Sequence, residues 1–191
     1  MNRYVGIPFM KKPKMKLIIN EEYQRVLWNS SLVGGMELNE ESAGTGHKMQ
    51  ITDYFDIIRP KWKLFQPREV FELDYGDIHL EIFRTNHIPE QSTSWEASFI
   101  SYGICIDHKI FISCDTKFDP ELIKNYKHCK YMFHDVQFFP GAVHAPLTNL
   151  KTLPEDIKSK MFLMHYADNY ETQDISGFLG WTKQGVRYIF E

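Results

Sequence analysis

The sequence predicts an α/β (or α+β) protein in which helices pack against one large sheet. Short apolar or alternating segments bounded by turn residues are typical of strands. Such segments lie at residues 69–74, 78–83, 97–106, 110–113, 131–135 and 162–166. Predicted helices fall between the later strands but not between the earlier ones. Hairpins therefore give way to alternating helices and strands, which is the order expected of a mixed sheet with helices on its faces.

The first sixty residues predict a short strand, one helix and a short buried element. Residues 15–20 are mostly apolar, and Asn20 is a residue type that caps helices. The helix should continue to about Leu32, because the Gly34-Gly35 pair that follows favours its end. The polar stretch after it predicts a mobile loop, and residues 51–60 are apolar enough for a short buried element.

The middle of the chain predicts two hairpins. The first pairs residues 69–74 with 78–83, and the second pairs residues 97–106 with 110–113. The turns contain Gly, Asp and other residue types that reverse a chain. The later elements are a helix starting at Asp119 and Pro120, a strand at 131–135, a helical segment at 148–160 broken at Pro154, a strand at 162–166 and an edge strand at 185–190.

Length and composition predict one globular domain spanning residues 1–191. Hydrophobic residues make up 43% of the chain and aromatic residues 15%, which is enough to form a core. With 22 basic and 25 acidic residues the net charge is −3, so there is no bulk electrostatic signal for nucleic acid. No apolar run approaches the roughly 20 residues that span a bilayer. Three cysteines without a close pair in sequence predict reduced thiols and a cytoplasmic location.

Three predicted strands end on residue types that bind metal ions. Apolar residues lead to His87, to Asp115 and to His165, each followed by polar sequence. Imidazole and carboxylate groups are zinc ligands, and an aspartate can bridge two ions. Such a pair of ions suits hydrolysis of a phosphoester. Any one of these residues alone could instead be a hydrogen-bonded polar residue at a strand end; the three together favour a metal site.

Two further residues are candidates for the same cleft. His144 lies in a loop after Gly141, and we expect it to contact phosphate or to donate a proton, although it could also be an exposed loop histidine. Asp135 ends a strand and could orient a histidine of the cleft. The remaining histidines lie in turns or on polar faces and are given no role. The sequence contains neither a Ser-His-Asp arrangement nor a nucleophilic cysteine that would support a covalent mechanism equally well.

The segments that carry these residues resemble a known family. RTNHIPE, FISCDTKFDPELI, MFHDVQFF and GAVHAPLTNLKTLPEDIKSKMFLMHYAD, in this order, are similar to the second part of metallo-β-lactamase-fold hydrolases. The similarity is greatest to the tRNase Z-like branch, and within it to the phage anti-Pycsar cyclic-nucleotide phosphodiesterases. This resemblance implies an αββα sandwich, a homodimer, a dizinc site and a cyclic-nucleotide or other phosphodiester substrate.

The resemblance also implies residue roles. His87 matches the histidine that completes the first metal site, Asp115 the bridging aspartate and His165 the histidine that completes the second. His144 matches the catalytic-loop histidine, and Asp135 stands where relatives carry an acidic or polar supporting residue.

One departure from the family pattern is large. The HxHxDH motif, which supplies two ligands to each metal ion, is absent from the 191 residues. We therefore expect an N-terminally truncated sandwich that carries part of the dimetal site, holds at most one zinc ion weakly and is weak or inactive alone. The alternative is a catalytically inactive remnant of the fold that binds a nucleotide or a partner.

Overall fold

The computed structural model describes residues 13–39, 42, 46–65, 67–141 and 143–190. The chain divides into two compact units, residues 1–61 and 62–191. In the described part of the chain, no helix has the length and apolarity needed to cross a membrane.

The first unit is built on a pair of parallel strands, β1 (Met15–Ile18) and β2 (Phe55–Ile58). Asn20 caps the first helix as predicted, because its Oδ1 accepts the Tyr23 N–H at 2.7 Å. The helices between the strands are α1 (Glu21–Leu27), a π-helical turn (Trp28–Leu32), α2 (Val33–Met36) and α3 (Ile51–Tyr54).

The prediction that Gly34 and Gly35 end the helix is wrong. Both lie inside α2, and the space where a side chain would project from each glycine is open. The loop predicted after them lies partly outside the described residues. The core of this unit is formed by Trp28, Met49, Ile51 and Tyr54.

The second unit contains an eight-stranded sheet in the order β10-β9-β8-β7-β6-β5-β4-β3. Its strands are β3 (Lys61–Leu64), β4 (Val70–Tyr75), β5 (Ile78–Arg84), β6 (Tyr102–Ile106), β7 (Ile110–Ile112), β8 (Tyr131–Asp135), β9 (Met161–Met164) and β10 (Gly180–Trp181). Its helices are α4 (Pro120–Asn125), α5 (Leu147–Leu150), α6 (Glu155–Lys158) and a 3₁₀ segment (Asp168–Thr172). Both predicted hairpins, the Asp119 cap and the break at Pro154 are confirmed.

The directions of the strands determine which side chains meet at each edge of the sheet. β5 and β7 are each antiparallel to β6, so they run in the same direction. β7, β8 and β9 are mutually parallel neighbours. The carboxyl ends of β5, β7, β8 and β9 therefore lie along one rim of the sheet, where open α/β sheets bind ligands.

Two predicted strands differ in the structure, because side-chain contacts hold these segments in other conformations. The strand expected at 97–106 begins only at Tyr102, because the preceding segment is held by side chains: the Arg84 guanidinium donates to the Trp95 and Ser98 carbonyl oxygens at 2.9 and 3.1 Å. The edge strand expected at 185–190 does not form. Its aromatic residues Tyr188 and Phe190 pack on Phe133 instead, with ring centroids 5.9 Å away in each case.

The two faces of the sheet carry different residues. Phe83, Cys105 and Phe111 lie on one face, fully buried in a core that includes residues of α4 and α5. The opposite face is lined by Ile82, Ile104, Ile112, Phe133 and Phe162. Each of these residues pairs with the next on the neighbouring strand, and paired residues point to the same side of a sheet. Phe83 therefore does not share a face with Phe133, since neighbouring strand residues alternate between faces.

A glycine in β6 allows β5 and β7 to lie close to this central strand. A Cβ on Gly103 would lie 2.7 Å from Ser113 O and would overlap the Phe83 ring. We expect Gly103→Ala to lower the free energy of unfolding by about 1–3 kcal/mol, as overpacking of a core does. Urea unfolding measures the change.

The matched control is Gly34→Ala, which meets open space in a helix. That substitution should leave stability unchanged or raise it by up to about 1 kcal/mol. Equal stability of Gly103→Ala and wild type would contradict the packing described for β6.

Candidate metal centre

Four strand ends place the predicted residues at one rim. His87 follows β5, Asp115 follows β7, Asp135 ends β8 and His165 follows β9. The strands run in the same direction, so their ends project the four side chains toward a shared cleft. His144 reaches the same place from the loop between β8 and α5.

Buried hydroxyl groups join the loops that carry His87 and Asp115. Thr85 Oγ1 donates to the Asp115 carbonyl at 3.1 Å, and Thr116 Oγ1 donates to the Asn86 carbonyl at 3.2 Å. Both threonine side chains are fully buried. Because buried polar groups are costly to leave unpaired, these bonds fix the separation of the two loops.

Asp115 lies between two histidines. His87 Nε2 is 3.9 Å from Asp115 Oδ2, and His165 Nδ1 is 3.4 Å from Asp115 Oδ1. The Nδ1–H of His87 donates to the Val143 carbonyl at 2.9 Å, so its Nε2 is the nitrogen left free toward Asp115. A carboxylate with an imidazole beside each oxygen could contribute, together with these imidazoles, to holding a metal ion.

Asp135 is fully buried and holds His144. Its Oδ2 accepts the Thr116 N–H at 3.1 Å and the His144 Nδ1–H at 2.8 Å. Burial raises the pKa of Asp135, but the neighbouring His134 and His144 outweigh it and hold that pKa below its ordinary value. The hydrogen bond to Asp135 in turn raises the pKa of His144, although partial burial opposes it.

Among the residues that the structure describes, none donates a hydrogen bond to the second oxygen of Asp135. His134 Nδ1 lies 3.2 Å from Asp135 Oδ1, but the His134 N–H is directed at the backbone carbonyl of Asp135, 2.8 Å away. An unpaired buried carboxylate oxygen is unfavourable unless a cation or donor completes it. Asp135 can therefore act as a ligand as well as a support for His144.

At this rim, potential ligand atoms of four residues all lie within 4.8 Å of one another: Asp115, Asp135, His144 and His165. Carboxylate and imidazole donors of this kind fit zinc. His87 lies outside this group, on the other oxygen of Asp115. All five residues predicted from sequence meet at this rim, and their individual roles remain predictions.

Two residues of the rim have left-handed backbone conformations. Cys114 has φ of 50° and His165 has φ of 57°. Such conformations are uncommon for residues other than glycine, and they cluster at functional sites. Sequence reasoning could not detect them, because neither position is glycine or asparagine.

A cavity of about 520 Å³ opens beside His144 and His165. It is lined by Val136, Gln137, Phe138, Phe139, His144, His165, Tyr166, Ala167 and Asn169. Its size suits a small ligand, and its walls combine aromatic rings with polar groups, as ligand sites do.

Comparison with known proteins gives the family. The family model described as "Anti-Pycsar protein Apyc1" matches residues 4–188. The chain belongs to the Apyc1 family. Proteins named anti-Pycsar protein Apyc1 from Bacillus phage 010DV004 and Paenibacillus xerothermodurans are 31% and 33% identical to it over 182 residues.

These alignments cover 92% of this Apyc1-family chain but only 66% and 65% of the two relatives. The chain thus spans about two thirds of the length of the relatives that it matches. Among solved structures, the metallo-β-lactamase fold protein YhfI from Bacillus subtilis superposes with a TM-score of 0.54 at 13% identity, covering 93% of this chain and 65% of YhfI. The predicted metallo-β-lactamase-type α/β fold is confirmed.

The Asp135–His144 pair gives a pH prediction for the metal-free chain. Asp135→Asn should lower the pKa of His144 toward its ordinary value of 6.5, since the carboxylate that raises it is removed. Because the folded-state pKa is raised, the pair stabilises the fold fully below pH 6.5 and loses this contribution as pH rises through the folded value. NMR titration of the His144 imidazole measures the shift.

Glu121→Gln, which alters an exposed carboxylate of α4, is the control and should leave this titration unchanged. An identical His144 titration in wild type and Asp135→Asn would show that the hydrogen bond does not govern the histidine.

Proposed function

We propose that this chain carries the later part of a zinc-dependent phosphodiesterase site whose substrate is a cyclic nucleotide. The arrangement of Asp115 between His87 and His165, with the Asp135–His144 pair at the same rim, is the observation that supports it. Family membership and the name of the relatives, anti-Pycsar protein Apyc1, support a role directed against Pycsar.

In this proposal each side chain has one task. Asp115, His87 and His165 hold zinc, which when bound supplies Lewis-acid chemistry and lowers the pKa of water. His144 contacts the phosphate and gives its proton to the leaving oxygen. The Asp135 carboxylate favours the protonated imidazole because it raises the pKa of His144.

The cavity beside His144 and His165 would receive the nucleotide. Phe139 has 58% of its surface exposed at the cavity wall, so its ring is available to stack on a base. The phosphate would then lie between the two histidines.

The number of metal ligands in this chain supports the proposal that it carries only part of the dinuclear site. A dinuclear zinc site needs three or four ligands for each ion, and the HxHxDH motif that would supply four of them is absent from the sequence. The second candidate function follows from the same observation: a chain that binds a nucleotide or a partner without hydrolysing a bond.

Activity measurements separate the two functions. We expect negligible hydrolysis of cyclic mononucleotides or bis-p-nitrophenyl phosphate by the chain alone, because missing ligands remove most of the barrier reduction. Adding a domain that carries the remaining third of the Paenibacillus xerothermodurans relative should restore zinc-dependent turnover. In that mixture Asp115→Ala should abolish turnover, and His144→Ala should lower kcat by about 10²- to 10⁴-fold.

His128→Ala, at an exposed position away from the rim, is the matched control and should retain full turnover. Nucleotide binding without turnover in the complemented protein would favour the non-catalytic function. Robust zinc-dependent turnover by the isolated chain, abolished by Asp115→Ala, would refute the partial-site proposal.

We extend the proposal to assembly as a homodimer. Ile82, Ile104, Ile112 and Phe162 on the face opposite the main core are only half-buried. A contiguous apolar face of this kind favours association. Light scattering should give a mass above that of one chain, and dye binding should report apolar surface. A dye-silent monomer with a sharp unfolding transition would contradict it.

A further inference from the structure

A second group of metal-binding side chains lies at the opposite end of β5. His79, Glu81 and His108 offer ligand atoms that all lie within 4.8 Å of one another. His79 is near the start of β5, whereas His87 follows its end. The ends of β5 are six residue steps apart, and each step along a strand is about 3.3 Å, so the two rims are separated by roughly 20 Å. This group is therefore separate from the Asp115 centre.

The fold brings the three residues together through β5 and a tight turn. His79 and Glu81 are two residues apart on one strand, so they share a face. His108 comes from the turn between β6 and β7, where Asp107 and His108 have φ of 52° and 53°. Two hydrogen bonds of 2.8 Å attach this turn to β5: His79 N–H donates to Asp107 Oδ1, and Asp107 N–H donates to the His79 carbonyl.

His79 has the orientation of a metal ligand. Its Nδ1 lies 2.6 Å from Asp74 Oδ1, an acceptor, so Nδ1 carries the hydrogen and Nε2 carries the lone pair. His79 Nε2 is buried without a partner among the described residues. A carboxylate that fixes the far nitrogen of the ring is the arrangement found behind metal-binding histidines.

We propose that His79 Nε2, the Glu81 carboxylate and the His108 imidazole bind a divalent transition-metal ion, Zn²⁺ in the first instance. Two imidazoles and one carboxylate suit zinc better than magnesium or calcium, which prefer oxygen ligands. Bonds of about 2.1 Å in a tetrahedron require donor atoms about 3.4 Å apart. His108 Nδ1 and Glu81 Oε1 are 3.9 Å apart, so a small side-chain rotation closes the site.

Lys63 occupies the place of the cation when no metal is bound. Its ammonium forms an ion pair with Glu81 Oε1 and lies 3.3 Å from Glu72 Oε2. When a metal ion takes Glu81, Lys63 keeps Glu72 as its partner. Metal binding therefore requires no buried charge to be left unpaired.

The fourth position of the ion would face a cavity of about 310 Å³ that Glu81 and His108 help to line. The bound ion would tie β5 to the β6–β7 turn, and so would stabilise the sheet at the rim away from the Asp115 centre. This role needs no catalytic activity and does not depend on the proposed function.

The experiment uses tag-free protein in which Asp115→Ala and His165→Ala remove the other centre. Zn²⁺ is titrated against a chromophoric chelator, and Co²⁺ is titrated while the visible absorption of tetrahedral cobalt is recorded. We expect one equivalent of each ion to bind to this double variant. Adding His79→Gln or His108→Asn should weaken binding at least tenfold, and asparagine is chosen because it tolerates the left-handed backbone at position 108.

Three further variants sharpen the test. Asp74→Asn should weaken binding about 10- to 100-fold, because the ring loses its orienting carboxylate. Lys63→Met should strengthen binding, because it removes the competing cation. His47→Ala is the matched control, an exposed histidine of the first unit that is not part of the group, and should bind the ion like its parent.

Circular dichroism of each variant checks that the protein is folded. The proposal is overturned if the double variant binds no equivalent of Zn²⁺ or Co²⁺. It is also overturned if folded His79→Gln and His108→Asn variants bind as tightly as their parent.

Discussion

The buried carboxylate of Asp135 is the interaction on which the rim of the sheet depends. It accepts the Thr116 N–H from the β7 loop and the His144 Nδ1–H from the loop after β8. Its own N–H donates to Ser113 Oγ at 3.1 Å. A fully buried charge persists only when such partners surround it, so this one group holds two loops and a strand end in fixed positions.

Strand direction supplies the rest of the geometry. The antiparallel β6 lies between β5 and β7 and makes them run in the same direction, which delivers His87 and Asp115 to one edge. The same arrangement sends the start of β5 to the opposite edge, together with the β6–β7 turn. One strand therefore carries a candidate centre for chemistry at one end and a candidate structural site at the other.

Family membership concerns the fold of this chain, whereas the residues at the rim concern the chemistry that it could support. The chain belongs to the Apyc1 family, yet the aligned part covers about two thirds of the relatives. Zinc chemistry depends on ligand number and geometry, and in the proposed function the residues at the rim would supply part of a dinuclear set.

The sequence by itself determined the elements whose signals are local. The strand at Tyr131–Asp135 and the helix starts at Asn20 and Asp119 agree with prediction, since caps and short apolar runs depend on neighbouring residues. Polar residues at strand ends also pointed to His87, Asp115 and His165. Parallel strands bring such ends together, so a local pattern was enough to indicate a shared rim.

Only the tertiary structure decided which side chains meet across distant elements. Residues His79 and His108 had been given no role because each lies in or near a polar turn, and their contact depends on the pairing of β5 with β6. Cys105 and Cys129, 24 positions apart, have Sγ atoms 3.5 Å from each other for the same kind of reason. The face that Phe83 occupies likewise depends on the register between strands. The side-chain contacts that replace the strands predicted at 97–101 and 185–190 depend on packing between distant segments. Residue spacing along the chain encodes neither.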